Sequence, residues 1–311
     1  RYMEAIDLLK QLLMAFAFDR RRGYWTLRLS IDLEHLGHVV ESLQVAENGL
    51  SDPWIRAGSK MALQMRVIRL GKPPRRWKLP SFSKSVQRKV IEVGIQGRPL
   101  NRKTGVKSIY YGEDGDRCSV EEMALQYYYG GGWRGVHAET GIWLTIFGIL
   151  MWEVIFAHVP NVFRTAFQTA PLDLDTDGFY HSRESLIESQ LEKIQRGMAE
   201  EMVITTWESH YGTLCRGLNW ENHSLDDLRA IVKCIGSGRL ASICRHLARD
   251  YGSWSSGGMP DLLLWRLRDC YGGDAKLVEV KGAGDRISDQ QRAWLLALMD
   301  FGFSVEVCKV T

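Results

Sequence analysis

The stretch Gly257-Gly258-Met259-Pro260-Asp261-Leu262-Leu263-Leu264-Trp265-Arg266 and the stretch Lys276-Leu277-Val278-Glu279-Val280-Lys281 have the short apolar runs of two strands joined by a turn. Together with the residues after Lys281 they predict strand Asp261–Arg268, strand Lys276–Lys281, helix Asp289–Asp300 and strand Phe303–Val310, a small α/β unit. Ser288 with Gln291 three residues on has the form of a capping box for that helix, and Gly302 is placed to end it.

Side chains alternate along a strand, so Glu279 and Lys281 share one face while Val278 and Val280 take the other. A hairpin centred on Tyr271 would set Asp261 across from Lys281 and diagonal to Glu279. Two carboxylates beside an ammonium suit a hard divalent cation such as Mg²⁺, which takes oxygen ligands at about 2.0–2.1 Å and activates water. Lys281 would then orient the attacking water or offset charge on phosphorus. On spacing alone a plainer reading is preferred: Asp261 caps a strand, and Glu279 with Lys281 is a solvated ion pair worth about 0–1 kcal/mol. The tight Gly257-Gly258-Met259-Pro260 turn, which opens the backbone before Asp261, moves the balance toward a site.

Upstream the chain reads as mostly α. Ile6, Leu9, Leu12 and Leu13, then Leu27 to Leu36, then Met61 to Leu70 recur at helical spacing, as in a solenoid-like array, with a hint of a period of about 34 residues and no repeated signature. Between Lys60 and Tyr110 there are fourteen Lys or Arg and one acid, Glu92, although the whole chain carries only +3. Prolines and glycines predict loops there, with one short strand near Val90–Ile95. Ser119-Val120-Glu121-Glu122 is a capping box that starts a helix over Glu121–Tyr128. The apolar stretch Gly141–Ala157 contains Glu153 and is shorter than the roughly 20 residues a bilayer needs. Ser185–Trp207 and Asp226–Ile235 read as amphipathic helices. Six scattered cysteines without a CxxC pair argue against a zinc module or a disulfide framework and fit a reducing compartment. The chain opens on Arg1 with no signal-like segment, which predicts a fragment of a longer protein.

Gly258-Met259-Pro260-Asp261, Glu279-Val280-Lys281-Gly282, Asp285-Arg286, Ser288, Gln291 and Trp294 together resemble the signature of the VRR-NUC nucleases of the PD-(D/E)xK superfamily. Gly49-Leu50-Ser51-Asp52-Pro53, Gly135-Val136-His137-Ala138-Glu139 and Pro171-Leu172-Asp173-Leu174 extend the resemblance to the Fanconi-associated nucleases over nearly the whole chain. The resemblance implies an α+β protein: a helical repeat-like (TPR-type) region over residues 1–205, with a basic loop segment at 71–110, and a restriction-endonuclease-like nuclease domain over 206–311.

By the same resemblance Asp261, Glu279, Glu139 and the Val280 carbonyl would hold Mg²⁺ or Mn²⁺, with Lys281 assisting the water. Without it, Glu139 reads as an acid favouring the dipole of the next helix. The implied activity is that of a 5′ flap endonuclease and 5′-to-3′ exonuclease of two-metal type, nuclear, acting in interstrand crosslink repair beside crosslink-repair proteins. The alternatives are a four-way-junction resolvase and a catalytically inactive DNA-binding scaffold. Branched or 5′-flapped DNA would lie on Arg20, Arg22, Arg56, Lys60 and Arg286, and Arg20 to Arg22 with Tyr24 and Trp25 read either as a stacking cluster or as a solvated loop with Trp25 in the core. Two departures stand out. Family members usually read His-Gly-Glu-Gly where this chain has His137-Ala138-Glu139-Thr140, and some carry lysine at Gln290, which leaves phosphate anchoring less defined.

Overall fold

The computed structural model describes all residues except Arg20, 101–108, 113–114, Thr140, 255–256 and 269–271. Of the residues singled out in the sequence, Arg20, Thr140, the Tyr271 hairpin centre, Cys270 and the cations Arg102, Lys103 and Lys107 thus lie outside the described residues. The chain divides into two compact units, Arg1–Lys89 with Ile287–Leu296, and Val90–Arg286 with Ala297–Thr311.

The first unit is helical: α1 (Tyr2–Ala15), α2 (Arg22–His35), α3 (Val39–Gly49), α4 (Ala57–Leu70) and the short α5 (Ser83–Val86), each of the first four packed on the next. Trp25, Leu29 and Leu33 recur every fourth residue on α2 and close over Ile6 and Leu9 of α1. Leu43 and Ala46 of α3 meet Leu63, Val67 and Leu70 of α4. Between these layers Ser30 and Ser42 exchange hydroxyl-to-carbonyl hydrogen bonds of 2.8 and 2.7 Å. Arg66 reaches into them, donating to Ser30 Oγ at 2.9 Å and to Glu34 at 2.8 Å.

The second unit begins with β1 (Ile91–Ile95), β2 (Arg98–Pro99), β3 (Tyr110–Tyr111) and β4 (Arg117–Cys118), then α6 (Val120–Gly130), β5 (Arg134–His137), α7 (Gly141–Leu150) and α8 (Trp152–Ile155). Helices α9 (Gly178–Ser182), α10 (Glu184–Gln195), α11 (Ala199–His210), α12 (Leu225–Ile235), α13 (Ser237–Arg249) and α14 (Tyr251–Trp254) come after them, and then β6 (Leu262–Leu267), β7 (Gly273–Lys281), α15 (Asp289–Asp300), which as far as Leu296 belongs to the first unit, and β8 (Ser304–Val310). The helix expected over Ser185–Trp207 is two, because Gly197 turns at φ +87 and separates α10 from α11. Residue 205, the expected domain boundary, lies within α11.

The main sheet has five strands in the order β1-β8-β7-β6-β5, parallel across β1, β8 and β7 and antiparallel across β7, β6 and β5. Two of its strands, β1 and β5, come from far upstream of the α/β unit read from the sequence. On one face Leu262, Leu264, Val278, Val280, Cys308 and Val310 pack with Ala124 and Tyr128 of α6. On the other, Leu263, Leu277 and Val307 are also buried, and α12 packs on β6 and β7. Both faces are covered, which explains the near-continuous apolar runs.

Helix α7 is apolar all round, with Ile142, Trp143, Ile146 and Phe147 buried, as a core helix is. Among the described residues no helix is long and apolar enough to cross a membrane. Cys118, Cys215, Cys234, Cys244 and Cys308 are buried free thiols.

Candidate active site

Three chain segments bring the candidate residues to one end of the sheet. Strand β7 runs past its partner: the last pair is Leu262 with Val278, and β7 continues through Glu279, Val280 and Lys281. The observed pairing is displaced by two residues from a hairpin centred on Tyr271, so the register carried one step further sets Asp261 opposite Glu279, not opposite Lys281. A two-residue shift preserves the face of every side chain, so the cluster survives the correction.

Asp261 is held at both its side chain and its backbone. Its Oδ2 accepts the Val280 N–H at 2.6 Å, and its carbonyl accepts the Ala138 N–H at 2.7 Å. Ala138 comes directly after β5, whose last residue, His137, pairs with Leu262. That pairing brings Glu139 to the end of the sheet, where it is exposed, as is His137. Glu279 is fully buried, and its Oε1 lies 2.7 Å from Lys281 Nζ, whose side chain is 13% exposed.

One ammonium is too little for this many carboxylates. Burial pushes the Glu279 carboxyl up to about 7; the Asp261 charge adds to the rise, Lys281 opposes it, and Glu139 raises it further. Burial also pushes Asp261 above the usual carboxylate range, against the Val280 N–H and Lys281, while Glu121 and Glu139 add repulsion. Glu121 is a participant that reading the sequence missed. It stands in the first turn of α6, where Ser119 and Glu122 form the expected capping box, and the sequence shows only a helix start there. Among the described residues no three His, Cys, Asp or Glu side chains close on a common point; Glu279 is turned onto Lys281 instead.

The donor set is chemically that of a hard cation: carboxylate oxygens, plus a main-chain edge at Val280. In an extended strand a residue's N–H and C=O point to the same side, so the Val280 carbonyl faces the edge where its N–H meets Asp261. Carboxyls raised by burial and by mutual repulsion are those whose ionised forms a divalent ion would stabilise most.

The proposed DNA contacts fare unevenly. Arg286 is exposed in the turn after β7, and Lys60 is exposed one turn beyond Arg56, which flanks the start of α4. Arg22 is turned inward: it donates to Asp52 at 2.7 Å and to the Leu13 and Phe16 carbonyls at 2.7 and 2.8 Å. Trp25 is a core residue with Arg21 stacked over it at 5.2 Å, while Tyr24 is exposed. In the basic segment Arg66 and Arg69 share Glu34, Arg76 grips Glu47, and Arg75 and Arg88 donate to the Leu70 and Leu296 carbonyls. The surplus charge counted in the sequence is thus partly bracing within the fold, and Lys60, Lys72, Lys78, Lys84 and Lys89 are exposed.

The family model for the Fanconi-associated nuclease 1 TPR domain matches residues 1–71, and that for the VRR-NUC domain matches residues 194–311. Fanconi-associated nuclease 1 homologs of Oryza sativa subsp. japonica and Arabidopsis thaliana are 65% and 61% identical to this chain and are matched over 100% of it. This chain belongs to the Fanconi-associated nuclease family. The Mus musculus member is 37% identical over 99% of the chain. The chain spans about a third of these relatives, 32% of the rice and mouse proteins and 35% of the Arabidopsis one. The same fold is seen in the crystal structure of paFAN1 bound to 2-nucleotide 5′ flap DNA with a gap, with a TM-score of 0.71 at 22% identity, covering 100% of this chain and 54% of that one. The helical first unit and mixed-sheet second unit are the architecture of this family.

Proposed function

We propose that this chain carries the catalytic centre of a structure-specific DNA nuclease, cutting a phosphodiester near a 5′ flap or free 5′ end. The observation that carries the reading is the juxtaposition of Asp261, Glu279 and Lys281 at the open end of β7, with carboxyl charge in excess. Family membership supports it, as does the 5′ flap DNA bound by paFAN1.

Asp261, oriented by the Val280 N–H, would supply a carboxylate ligand. Glu279, the Val280 carbonyl and Glu139 would complete the set, with Glu121 close enough to add charge. A bound Mg²⁺ or Mn²⁺ would supply Lewis acidity and a water nucleophile near neutral pH. Lys281, released from Glu279, would donate from Nζ to the attacking water or to a non-bridging phosphate oxygen and offset the charge that grows on phosphorus. The Ala138 and Val280 N–H groups hold Asp261 in place, so this carboxylate is oriented in advance. The reading extends to interstrand crosslink repair in the nucleus, beside crosslink-repair proteins that would bind other parts of the protein.

Cleavage of labelled 5′-flap and four-way DNA by the purified protein tests this. Flap cutting that requires Mg²⁺ or Mn²⁺ and falls by at least about 100-fold in Asp261→Ala is expected. Preference for the four-way substrate would favour a resolvase, and unchanged cutting by Asp261→Ala would refute the assignment.

A further inference from the structure

Residues 72–89 of the helical unit contain seven Lys or Arg and no acid. Yet the two arginines in the middle of that run are tied back onto the fold by hydrogen bonds. Arg75 Nε donates to the Leu70 carbonyl at 2.6 Å, closing the end of α4. Arg76 forms a two-pronged bond with Glu47 at 3.0 and 2.7 Å and donates a third to the Arg75 carbonyl at 3.0 Å. On the far side Ser83 N–H donates to the Pro80 carbonyl at 2.9 Å. The loop is therefore anchored at both ends, and what it presents outward is Trp77, 81% exposed, between those arginines and the exposed Lys78.

A tryptophan side chain so far into water, on a loop braced by five hydrogen bonds, is held ready for a partner rather than loosely displayed. The surrounding charge selects the partner. Exposed Lys72, Lys78, Lys84 and Lys89 with no acid among them favour a polyanion, and a flat aromatic ring beside cations is how single-stranded nucleic acid is gripped: the ring stacks on a base and the cations take the phosphates. We infer that Trp77 is a base-stacking residue, which takes an unpaired nucleobase of the DNA while Lys78 holds the adjoining phosphate. This rests on the proposed nuclease function and adds to it a binding element within the helical unit.

The test uses the full protein in chelator, where no cleavage occurs, with a duplex carrying a short 5′ flap whose first unpaired base is 2-aminopurine, and with a blunt duplex of the same length. The parent protein should quench the 2-aminopurine. Trp77→Ala should abolish the quench and weaken flap binding about tenfold, with less than about twofold change on blunt duplex, as loss of one stacked base predicts. Trp77→Phe should keep most of both, and Trp77→Leu, apolar without an aromatic face, should behave like the alanine variant. Equal quench and affinity for Trp77→Ala and the parent overturn the inference and leave the loop to an acidic protein partner. An equal loss on flap and blunt DNA with the quench intact overturns it as well. A parent protein that shows Trp77-dependent quenching but cuts no flap with Mg²⁺ defeats the nuclease reading alone.

Discussion

Two charge clusters of this chain are balanced in opposite senses. In the helical unit Glu34 is shared by Arg69 and Arg66, and the Arg69 hydrogen bond above all holds its carboxyl down to about 2. At the end of β7, burial together with the charges of Asp261 and Glu139 drives Glu279 up to about 7 against the opposing Lys281. The first arrangement is complete within the fold and braces helices. The second lacks positive charge, and a divalent cation bound there would supply it. The contrast separates a structural charge cluster from a candidate site without reference to any relative.

The largest effect that could break this comparison is on chemistry. Lys281→Met should lower cleavage of bound flap DNA by about 10²–10³-fold while leaving DNA affinity nearly unchanged, measured by single-turnover kinetics beside binding. Affinity falling in step with rate would make Lys281 a phosphate anchor instead.

Next comes stability. Arg66→Met removes bonds to Ser30, Ser42 and Glu34 and should destabilise the helical unit by about 1–3 kcal/mol in a denaturant melt, with kcat unchanged. The two clusters should also respond to pH with opposite signs. Glu34 binds its proton more weakly when folded, so its contribution is complete above the usual value of 4.5 and is lost as pH falls toward about 2. Glu279 binds its proton more tightly when folded, so stability near β7 is greatest below 4.5 and declines as pH rises to about 7. Hydrogen exchange read separately in α2 and β7 across that range checks both slopes, and parallel slopes would contradict the assignment. The smallest effect is at the start of α6, where Ser119→Ala removes half of the capping box and should destabilise the helix by about 1 kcal/mol, loosening Glu121.

The sequence alone exposes the local parts of this structure. Short apolar runs reveal β6 and β7, and Ser288 with Gln291 forms the reciprocal cap expected of α15, at 3.0 and 3.1 Å. What stays hidden depends on partners distant in the chain. Strand β5 is four residues after a glycine run, and only pairing with β6 makes it a strand. The hairpin register escaped by two residues because alternation fixes the face of a side chain but not its opposite number. Arg66, Arg69 and Arg76 enter the sequence only as part of a basic surplus, since a local count of cations does not show Glu34 or Glu47 across the fold. Glu121 meets Asp261 only in three dimensions, 140 residues along the chain.

Calorimetric titration of Mn²⁺ into the DNA-free protein, in buffers of differing ionisation heat near pH 7, tests the charge deficit most directly. Binding accompanied by proton release, and both lost in Asp261→Ala, is the predicted result, because the ion would displace the proton that Glu279 holds near neutrality. Identical isotherms for the parent and the Asp261→Ala variant, or binding without proton release, would contradict it.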